Sequence, residues 1–350
     1  MRILIATVQV PFIRGGAEVH GEGLRDALRA SGHEVEIIAV PFKWYPPERI
    51  IDHMLACRLL DLSEVMGTPV DLLIGLRFPA YLIPHTNKVL WILHQFRQAY
   101  DLYQSGQSNI GRDERGRQLV EIVRTADNQC FRACREIFAN SPVTRDRLKR
   151  HNGFDANVLY PPLNDPELFQ GGDYGNYIFA GGRVGPGKRQ HLLIEAMRFV
   201  RAELRLLIAG PADTEEYANE LRTLIHRHDL QDRVAVKIAF HDRNVIADYV
   251  NNALACACIP VDEDSLSYVA MEAFSASKAV LTATDSGGLL EIVIDGATGA
   301  VVAPDARSLG DAIERLASDR AKTRSLGRAA NAAWKDRDVN WDATIAVLLS

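Results

Sequence analysis

Two carboxylates, Asp264 and Glu272, stand at the ends of a segment that could bind an anion and several hydroxyl groups. Between them, Ser265-Leu266-Ser267 is typical of a helix cap, and the apolar residues 268–274 predict a helix. The free backbone N–H groups and the positive dipole end at that helix start suit a phosphate. Because the two acids could hold hydroxyl groups at opposite ends of one extended ligand, the segment predicts a nucleotide-sugar site.

A glycine-rich loop, residues 181–188, provides a second candidate anion site before a helix predicted over residues 191–199. Its two cations, Arg183 and Lys188, lie beside open backbone amides, and this combination suits a diphosphate. Ordinary solvated charges are the alternative for any such loop taken alone. A strand predicted over residues 177–180 precedes the loop, so the segment has a β-loop-α layout.

The same layout opens the chain. Residues 2–8 are typical of a buried parallel strand, residues 16–31 have a helical pattern, and residues 35–40 predict the next strand. These elements predict a doubly wound α/β domain, and their repetition predicts two similar domains in 350 residues. In the first loop, Gly15 and Gly16 would let a ligand approach the backbone, although a plain turn explains them equally well.

The glycine spacing disfavours a dinucleotide-binding oxidoreductase. That class carries Gly-x-Gly-x-x-Gly directly after the first strand and an acid at the end of the second. Here Gly15 and Gly16 are adjacent and come too late, and the second strand ends in Ala39-Val40-Pro41-Phe42.

Composition argues against several other classes of protein. A net charge of −5 argues against nucleic-acid binding. No apolar run approaches the roughly 20 residues that span a bilayer, and the N-terminus leads directly into a strand, so a cytoplasmic protein is expected. The five cysteines lack a Cys-x-x-Cys pair and favour buried small residues over disulfides or zinc. No cluster of histidines stands out as a metal site, and none is expected.

Three segments of the first half have open interpretations. Residues 88–94 predict a strand whose carboxyl end places His94 where such sheets bind ligands, with a structurally satisfied histidine as the alternative. Residues 96–110 lack clean periodicity and suggest a mobile loop over an acceptor. The helix predicted over residues 115–136 carries arginines, which favour an ordinary solvated face, with contact to anionic lipid as the alternative.

In this order and spacing, the motifs resemble the retaining glycosyltransferases of family four, which have the two-domain GT-B architecture. The matching segments, which cover nearly the whole chain, are Gly15-Gly16, His94, Val158-Leu159-Tyr160-Pro161-Pro162, Gly182-Arg183, Lys188, Ala209-Gly210, the Asp264 to Glu272 segment, Thr284-Asp285-Ser286-Gly287-Gly288, Glu291 and Asp295-Gly296-Ala297-Thr298-Gly299. The resemblance implies two Rossmann-like α/β domains facing a central cleft. The acceptor-binding domain would cover residues 1–169 and the nucleotide-sugar-binding domain residues 170–333, with a helix over residues 334–350 crossing back to the first domain.

The resemblance also implies a role for each candidate residue. Arg183 and Lys188 would neutralise the donor diphosphate, and Glu272 would hold the ribose. Asp264 would position hydroxyl groups of the transferred sugar, and His94 would lie beside the anomeric carbon and the acceptor. The other residues implied to line the donor site are Gly15, Gly16, Gly210, Ser265, Leu266, Ser267 and Tyr268.

The chain departs from the family at the first acid, where the family usually has Glu-Gly-Phe-Gly and this chain has Asp264-Ser265-Leu266-Ser267. A carboxylate shorter by one methylene, or roughly 1.5 Å, predicts an altered sugar pocket, with weakened activity as the alternative. Glu263 could supply the acid by a shift of one residue, and Asp262 is nearby. Asp264 is preferred because it keeps the spacing.

The implied function is that of a metal-independent, retaining hexosyltransferase that needs no cofactor and uses a nucleotide-diphosphate sugar as its donor. The acceptor would be a hydroxyl of a saccharide, a lipid-linked saccharide or a small molecule, attacked on the face from which the phosphate leaves. No nucleic acid is expected as a partner, and weak peripheral contact with the inner membrane face is conceivable. A non-catalytic nucleotide-sugar-binding protein and a sugar-nucleotide epimerase of the same fold are the alternatives.

Overall fold

The computed structural model describes residues 1–350 and divides them into two compact units. The units are Met1–Pro162 with Asn340–Ser350 (unit 1) and Leu163–Val339 (unit 2). The sequence placed the first boundary after residue 169, whereas the structure places it at Pro162, because the next residues pack within unit 2. There Phe169 is buried, and the carbonyl of Leu168 accepts a 2.7 Å hydrogen bond from Asn251 Nδ2.

Unit 1 is built on a parallel sheet of six strands. Its strands are β1 (Arg2–Gln9), β2 (Glu34–Pro41), β5 (Leu72–Gly75), β6 (Lys88–Ile92), β7 (Glu136–Ala139) and β8 (Asn157–Val158), and a separate antiparallel ribbon is formed by β3 (Glu64–Val65) and β4 (Thr68–Pro69). The order in the sheet is β2-β1-β5-β6-β7-β8. Strands β5 and β6 are buried along their whole length, which explains why their sequences are nearly continuous apolar runs.

Five of the six helices of unit 1 lie in its first segment, and local chemistry sets their ends. They are α1 (Gly16–Ala30), α2 (Ile50–Leu59), α3 (Asp101–Ser105), α4 (Glu114–Ala133) and α5 (Pro142–Asn152). Asp113 caps α4 by accepting a 2.9 Å hydrogen bond from the backbone N–H of Gly116. Ser141 caps α5 in the same way, and Gly153 ends it in the left-handed region at φ 76°.

Unit 2 repeats the architecture with a second parallel sheet of six strands. Its strands are β9 (Tyr177–Gly181), β10 (Arg205–Gly210), β11 (Val234–Ile238), β12 (Ala255–Ala257), β13 (Ala279–Ala283) and β14 (Gly299–Val302), in the order β11-β10-β9-β12-β13-β14. The chain winds outward in one direction from β9 and in the other from β12, so the topological switch point lies between these two strands. Open α/β sheets bind ligands beyond the carboxyl ends of strands at such a point.

The helices of unit 2 cover both faces of its sheet, and the last helix of the chain returns to unit 1. The helices of unit 2 are α6 (Gln190–Ala196), α7 (Glu215–Arg227), α8 (Arg243–Asn251), α9 (Tyr268–Ser275), α10 (Ala306–Ser318) and α11 (Arg320–Lys335). The last helix, α12 (Trp341–Leu349), belongs to unit 1. Within unit 1, α12 packs on α1, where the ring of Trp341 lies 6.3 Å from the rings of both His20 and Trp91.

Residues 96–110 are not the loop that their sequence suggested. They form a 3-10 turn at Arg97–Ala99 and the short helix α3. Tyr100 is fully buried there, and its hydroxyl donates a 2.7 Å hydrogen bond to Asp127 Oδ2. The segment lacks helical periodicity because individual aromatic side chains, rather than a regular apolar face, hold it in place.

Arginines of α4 and its end are held by contacts within unit 1. Arg124 donates hydrogen bonds of 3.1 and 3.0 Å to the carbonyl of Ala99. Arg135 donates one of 3.2 Å to the carbonyl of Leu348 in α12. These contacts give the arginines a structural role. Across the whole chain, none of the helices combines the length and the apolar character that crossing a bilayer requires.

Candidate functional site

Three loops at the carboxyl ends of β9, β12 and β13 carry most of the predicted site residues. The cation loop (residues 182–188) follows β9, the acid loop (residues 258–267) follows β12, and the glycine turn (Gly287–Glu291) comes after β13. Backbone hydrogen bonds join them, since Val261 N donates to Gly187 O at 2.9 Å and Gly288 N donates to Glu263 O at 2.7 Å. The three loops therefore form one surface at the switch point of the sheet.

Glycines permit the close approach of these loops. A Cβ atom at Gly210, the last residue of β10, would lie 1.9 Å from the carbonyl oxygen of Gly182. A Cβ atom at Gly287 would lie 2.3 Å from the carbonyl oxygen of Glu263. Both distances are far below van der Waals contact, so any side chain would displace a loop. The geometry thus gives Gly210 a steric role beneath the cation loop.

The two cations of the cation loop are paired with acids from neighbouring loops. Arg183 Nε donates a 2.8 Å hydrogen bond to Asp213 Oδ1, and Lys188 forms an ion pair with Glu263. Burial by itself would lower the pKa of Lys188, but Glu263 outweighs it and the pKa lies above the ordinary value. The Arg183 and Lys188 side chains remain 41% and 35% exposed, so a ligand could still reach both charges.

Arg189, which the sequence analysis did not select, braces the acid loop. It is buried, adopts the left-handed region at φ 56°, and donates 2.8 Å hydrogen bonds to the carbonyls of Ile259 and Pro260. Its terminal nitrogens also contact both carboxylate oxygens of Asp285 at 2.8 and 2.7 Å, which lowers the pKa of that acid. No local signal distinguishes Arg189 from a solvated neighbour of Lys188.

The acid loop places its two candidate acids differently. Asp264 is 6% exposed, whereas the side chain of Glu263 is 28% exposed and contacts Lys188. The structure therefore brings Glu263, the residue one position earlier, onto the cation loop. Of the other candidates in this loop, Leu266 has a buried side chain that belongs to the core, and Ser267 precedes α9 without a side-chain capping bond.

Glu272 lies in the middle of α9 and is 4% exposed. It forms an ion pair with Arg243, the first residue of α8, which the sequence analysis passed over. Burial raises the pKa of Glu272 above its ordinary value, although Arg243 lowers it in part. One helical turn earlier, the hydroxyl of Tyr268 is enclosed and has no hydrogen-bond partner in the chain.

The remaining candidates belong to unit 1. Gly15 directly precedes α1, and its N–H donates a 2.8 Å hydrogen bond to Glu18 Oε2, while Gly16 is the first residue of that helix. His94 follows β6, and its Nδ1 lies 2.8 Å from the carbonyl oxygen of Gln95. In neither unit do three or more His, Cys, Asp or Glu side chains form a group that could hold a metal ion.

Solved structures with the same two-domain architecture define the fold. Over 99% of this chain and 97% of the other, the structure superposes on sucrose-phosphate synthase from Thermosynechococcus elongatus with a TM-score of 0.76 at 20% identity. For Anabaena Alr3699/HepE in complex with UDP and glucose, the TM-score is 0.72 at 19% identity, over 100% and 99% of the two chains. The fold is therefore α/β of the GT-B type, as the sequence predicted.

Sequence comparison finds a family match and curated relatives for part of the chain. Residues 171–333 match the family model described as glycosyl transferases group 1. The alpha-maltose-1-phosphate synthase of Mycolicibacterium smegmatis is 31% identical over 197 residues, which are 51% of this chain and 49% of that protein. The human alpha-1,3/1,6-mannosyltransferase ALG2 is 24% identical over 230 residues, 57% of this chain and 54% of that protein. The chain thus spans about half the length of the curated relatives that it matches.

Proposed function

We propose that this protein is a retaining glycosyltransferase that moves a hexosyl unit from a nucleotide-diphosphate sugar to a hydroxyl of a saccharide, lipid-linked saccharide or small-molecule acceptor. The observation that carries the proposal is the pair of partly exposed cations, Arg183 and Lys188, on one loop at the switch point of unit 2. The match of this unit to the group 1 glycosyl transferases supports it.

The two cations would act mainly on the leaving group. As the glycosidic bond breaks, negative charge grows on the departing diphosphate, so fixed cations stabilise the transition state more than the ground state. Asp213 and Glu263 hold Arg183 and Lys188 in place before the donor arrives, which limits the reorganisation that binding requires. The departing phosphate then takes the acceptor's proton as the acceptor attacks on the same face, and this step uses neither a metal ion nor a cofactor.

The carboxylates would bind the two ends of the donor. Glu272 on α9 would accept hydrogen bonds from the ribose, and Asp264 would position hydroxyl groups of the transferred sugar. Glu263 would serve as the counter-ion of Lys188. The roles of Gly15, Gly16 and His94 in unit 1 stay predictions.

UDP-linked hexoses are the first donors to test, because similar structures were solved with UDP and with UDP-glucose. Thermal shift and calorimetry with UDP, GDP and ADP should show binding of at least one of them. The sugar nucleotide of that base, radiolabelled in the hexose, should then transfer label to an acceptor extract and release the nucleoside diphosphate.

The other outcomes distinguish the alternatives. Binding without transfer or hydrolysis, over a panel of donors and acceptor extracts, would indicate a nucleotide-sugar-binding protein. Conversion of the donor into a different sugar nucleotide without any acceptor would indicate an epimerase. No binding of any nucleoside diphosphate would refute the proposed function.

A further inference from the structure

We infer that Arg243 is a positioning residue that fixes the carboxylate of Glu272 for the ribose of the donor nucleotide. The inference rests on the proposed function, and it assigns a role to a residue outside the family motifs matched above.

Arg243 is held by the segment that enters unit 2. Its Nη2 donates a 3.0 Å hydrogen bond to the carbonyl oxygen of Asn164, and its guanidinium lies 4.5 Å from the ring centroid of Phe169. Its Nη1 contacts Glu272 Oε1. A planar guanidinium that is stacked on one side and hydrogen-bonded at two nitrogens has little freedom left, so the carboxylate it contacts is fixed as well.

The position of Arg243 in α8 is unfavourable for the helix itself. As the first residue of α8, it brings a positive charge to the positive end of the helix dipole, where an acid would be preferred. Local helix stability therefore does not explain an arginine here. The contact with the buried Glu272 does, because a buried carboxylate is costly unless it is paired.

The pair leaves part of the site without partners. Arg243 engages Oε1 of Glu272, while Oε2 accepts no hydrogen bond from the chain. The hydroxyl of Tyr268 also lacks a partner, and its position four residues before Glu272 places it on the same face of α9. The Tyr268 hydroxyl is enclosed, whereas Oε2 of Glu272 is not among the enclosed unpartnered atoms, so Oε2 is the group that remains available to a ligand with hydroxyl groups. Ribose is such a ligand.

Of the titratable groups that surround Glu272, Arg243 is the one that carries a positive charge. These groups are Arg243 on α8, Cys256 on β12, Cys258 in the acid loop and Tyr268 on α9, with Asp165 lying 3.8 Å from Arg243. Burial raises the pKa of Glu272 and Arg243 lowers it. Without Arg243, Glu272 would take up a proton at higher pH and lose its ability to accept hydrogen bonds from both ribose hydroxyls.

The test is calorimetry with UDP and 2′-deoxy-UDP, or with the corresponding pair of whichever base the protein binds, at one pH below and one pH above the midpoint at which Glu272 titrates in Arg243→Gln. Arg243→Gln should weaken binding of the ribonucleotide much more at the lower pH, by up to about tenfold per pH unit below the pKa of Glu272. The deoxy ligand should lose less, and Arg243→Lys should restore part of the affinity. Glu272→Gln should weaken ribonucleotide binding equally at both pH values.

Two further measurements keep the test decisive. Arg222→Gln removes an arginine from an exposed ion pair with Glu215 in the same unit and should leave binding unchanged. In protein labelled with 13C at the glutamate carboxyl, the Glu272 signal should titrate at higher pH in Arg243→Gln than in the wild type, without any ligand. A signal that titrates identically, or an affinity loss equal at both pH values, would overturn the inference and leave the proposed function standing. Failure of the wild type to bind any nucleoside diphosphate would overturn both.

Discussion

Replacing Lys188 by alanine tests the electrostatic core of the proposed reaction. The ammonium lies on the cation loop and carries its full charge, because Glu263 more than offsets the effect of burial on its pKa. Removing one preorganised group that stabilises developing charge typically costs about 3–4 kcal/mol, or about 10²–10³-fold in turnover. The ion pair that is lost is about one-third exposed and contributes at most about 1 kcal/mol to folding. Turnover should therefore collapse while the protein stays folded.

The assay follows release of nucleoside diphosphate and transfer of a radiolabelled hexose, with thermal unfolding measured in parallel. Lys322→Ala is the matched control, because it removes an exposed lysine of the same unit at the start of α11. The control should retain wild-type turnover and stability. If Lys188→Ala turned over donor within a fewfold of the wild-type rate, Lys188 would not face the diphosphate and the assignment of the cation loop would fail.

Three other substitutions probe the loops and unit 1. Glu263→Gln should tighten UDP binding by up to about fivefold in calorimetry, because the carboxylate no longer competes with phosphate for Lys188, and weaker binding would contradict its role as a counter-ion. Gly210→Ala should lower the urea midpoint of unit 2 by an amount equivalent to about 1–3 kcal/mol. Gly187→Ala should leave the midpoint unchanged, because a Cβ atom at Gly187 would meet nothing within 4 Å. Equal effects of the two substitutions would refute the steric argument. Burial raises the pKa of Asp127 from 3.8 to about 7, so the contribution of Asp127 to stability is greatest in acid and falls by about 4 kcal/mol as pH rises through that window. The difference in unfolding free energy between wild type and Asp127→Asn, from urea titrations at several pH values, should follow this course. A difference that does not change with pH would contradict the prediction.

The alternation of strands and helices could be predicted from the sequence because both sheets are parallel and buried. Continuous apolar runs such as β1 and β6 are typical of strands covered on two faces, and the predicted fold class was confirmed. Four elements were not predicted from the sequence: α7, α8, β13 and β14. Strand β14 is only half buried, and α8 follows Asp242, whose side chain makes no capping hydrogen bond, and has an arginine at its first position. In such elements tertiary contacts, rather than local pattern, fix the structure.

The cation loop could be predicted from the sequence, but the acids that pair with its cations could not. Glycines and cations between a strand and a helix indicated the cation loop, since that pattern is local. The partners of those cations are remote, because Asp213 lies 30 residues from Arg183 and Glu263 lies 75 residues from Lys188. Such pairs depend on which strands become neighbours, and the order of strands is a property of the whole sheet. For the same reason, Arg243 could not be linked to Glu272 from the sequence.

The acids beside the two cations bear directly on how the site would bind its donor. Each cation of the cation loop already has a carboxylate partner, so the unliganded loops carry paired rather than bare charges. A diphosphate would have to replace Glu263 and share Arg183 with Asp213, and its net affinity would be the difference between the two sets of contacts. Because both pairs are partly exposed, each is weak and readily exchanged, whereas the braces beneath them, Arg189 and the glycine contacts, are buried and fixed. The buried residues beneath the loops and the exchangeable counter-ions keep the cations in position until the diphosphate of the donor replaces Glu263. The cations then stabilise the negative charge that grows on the phosphate as the bond to the sugar breaks.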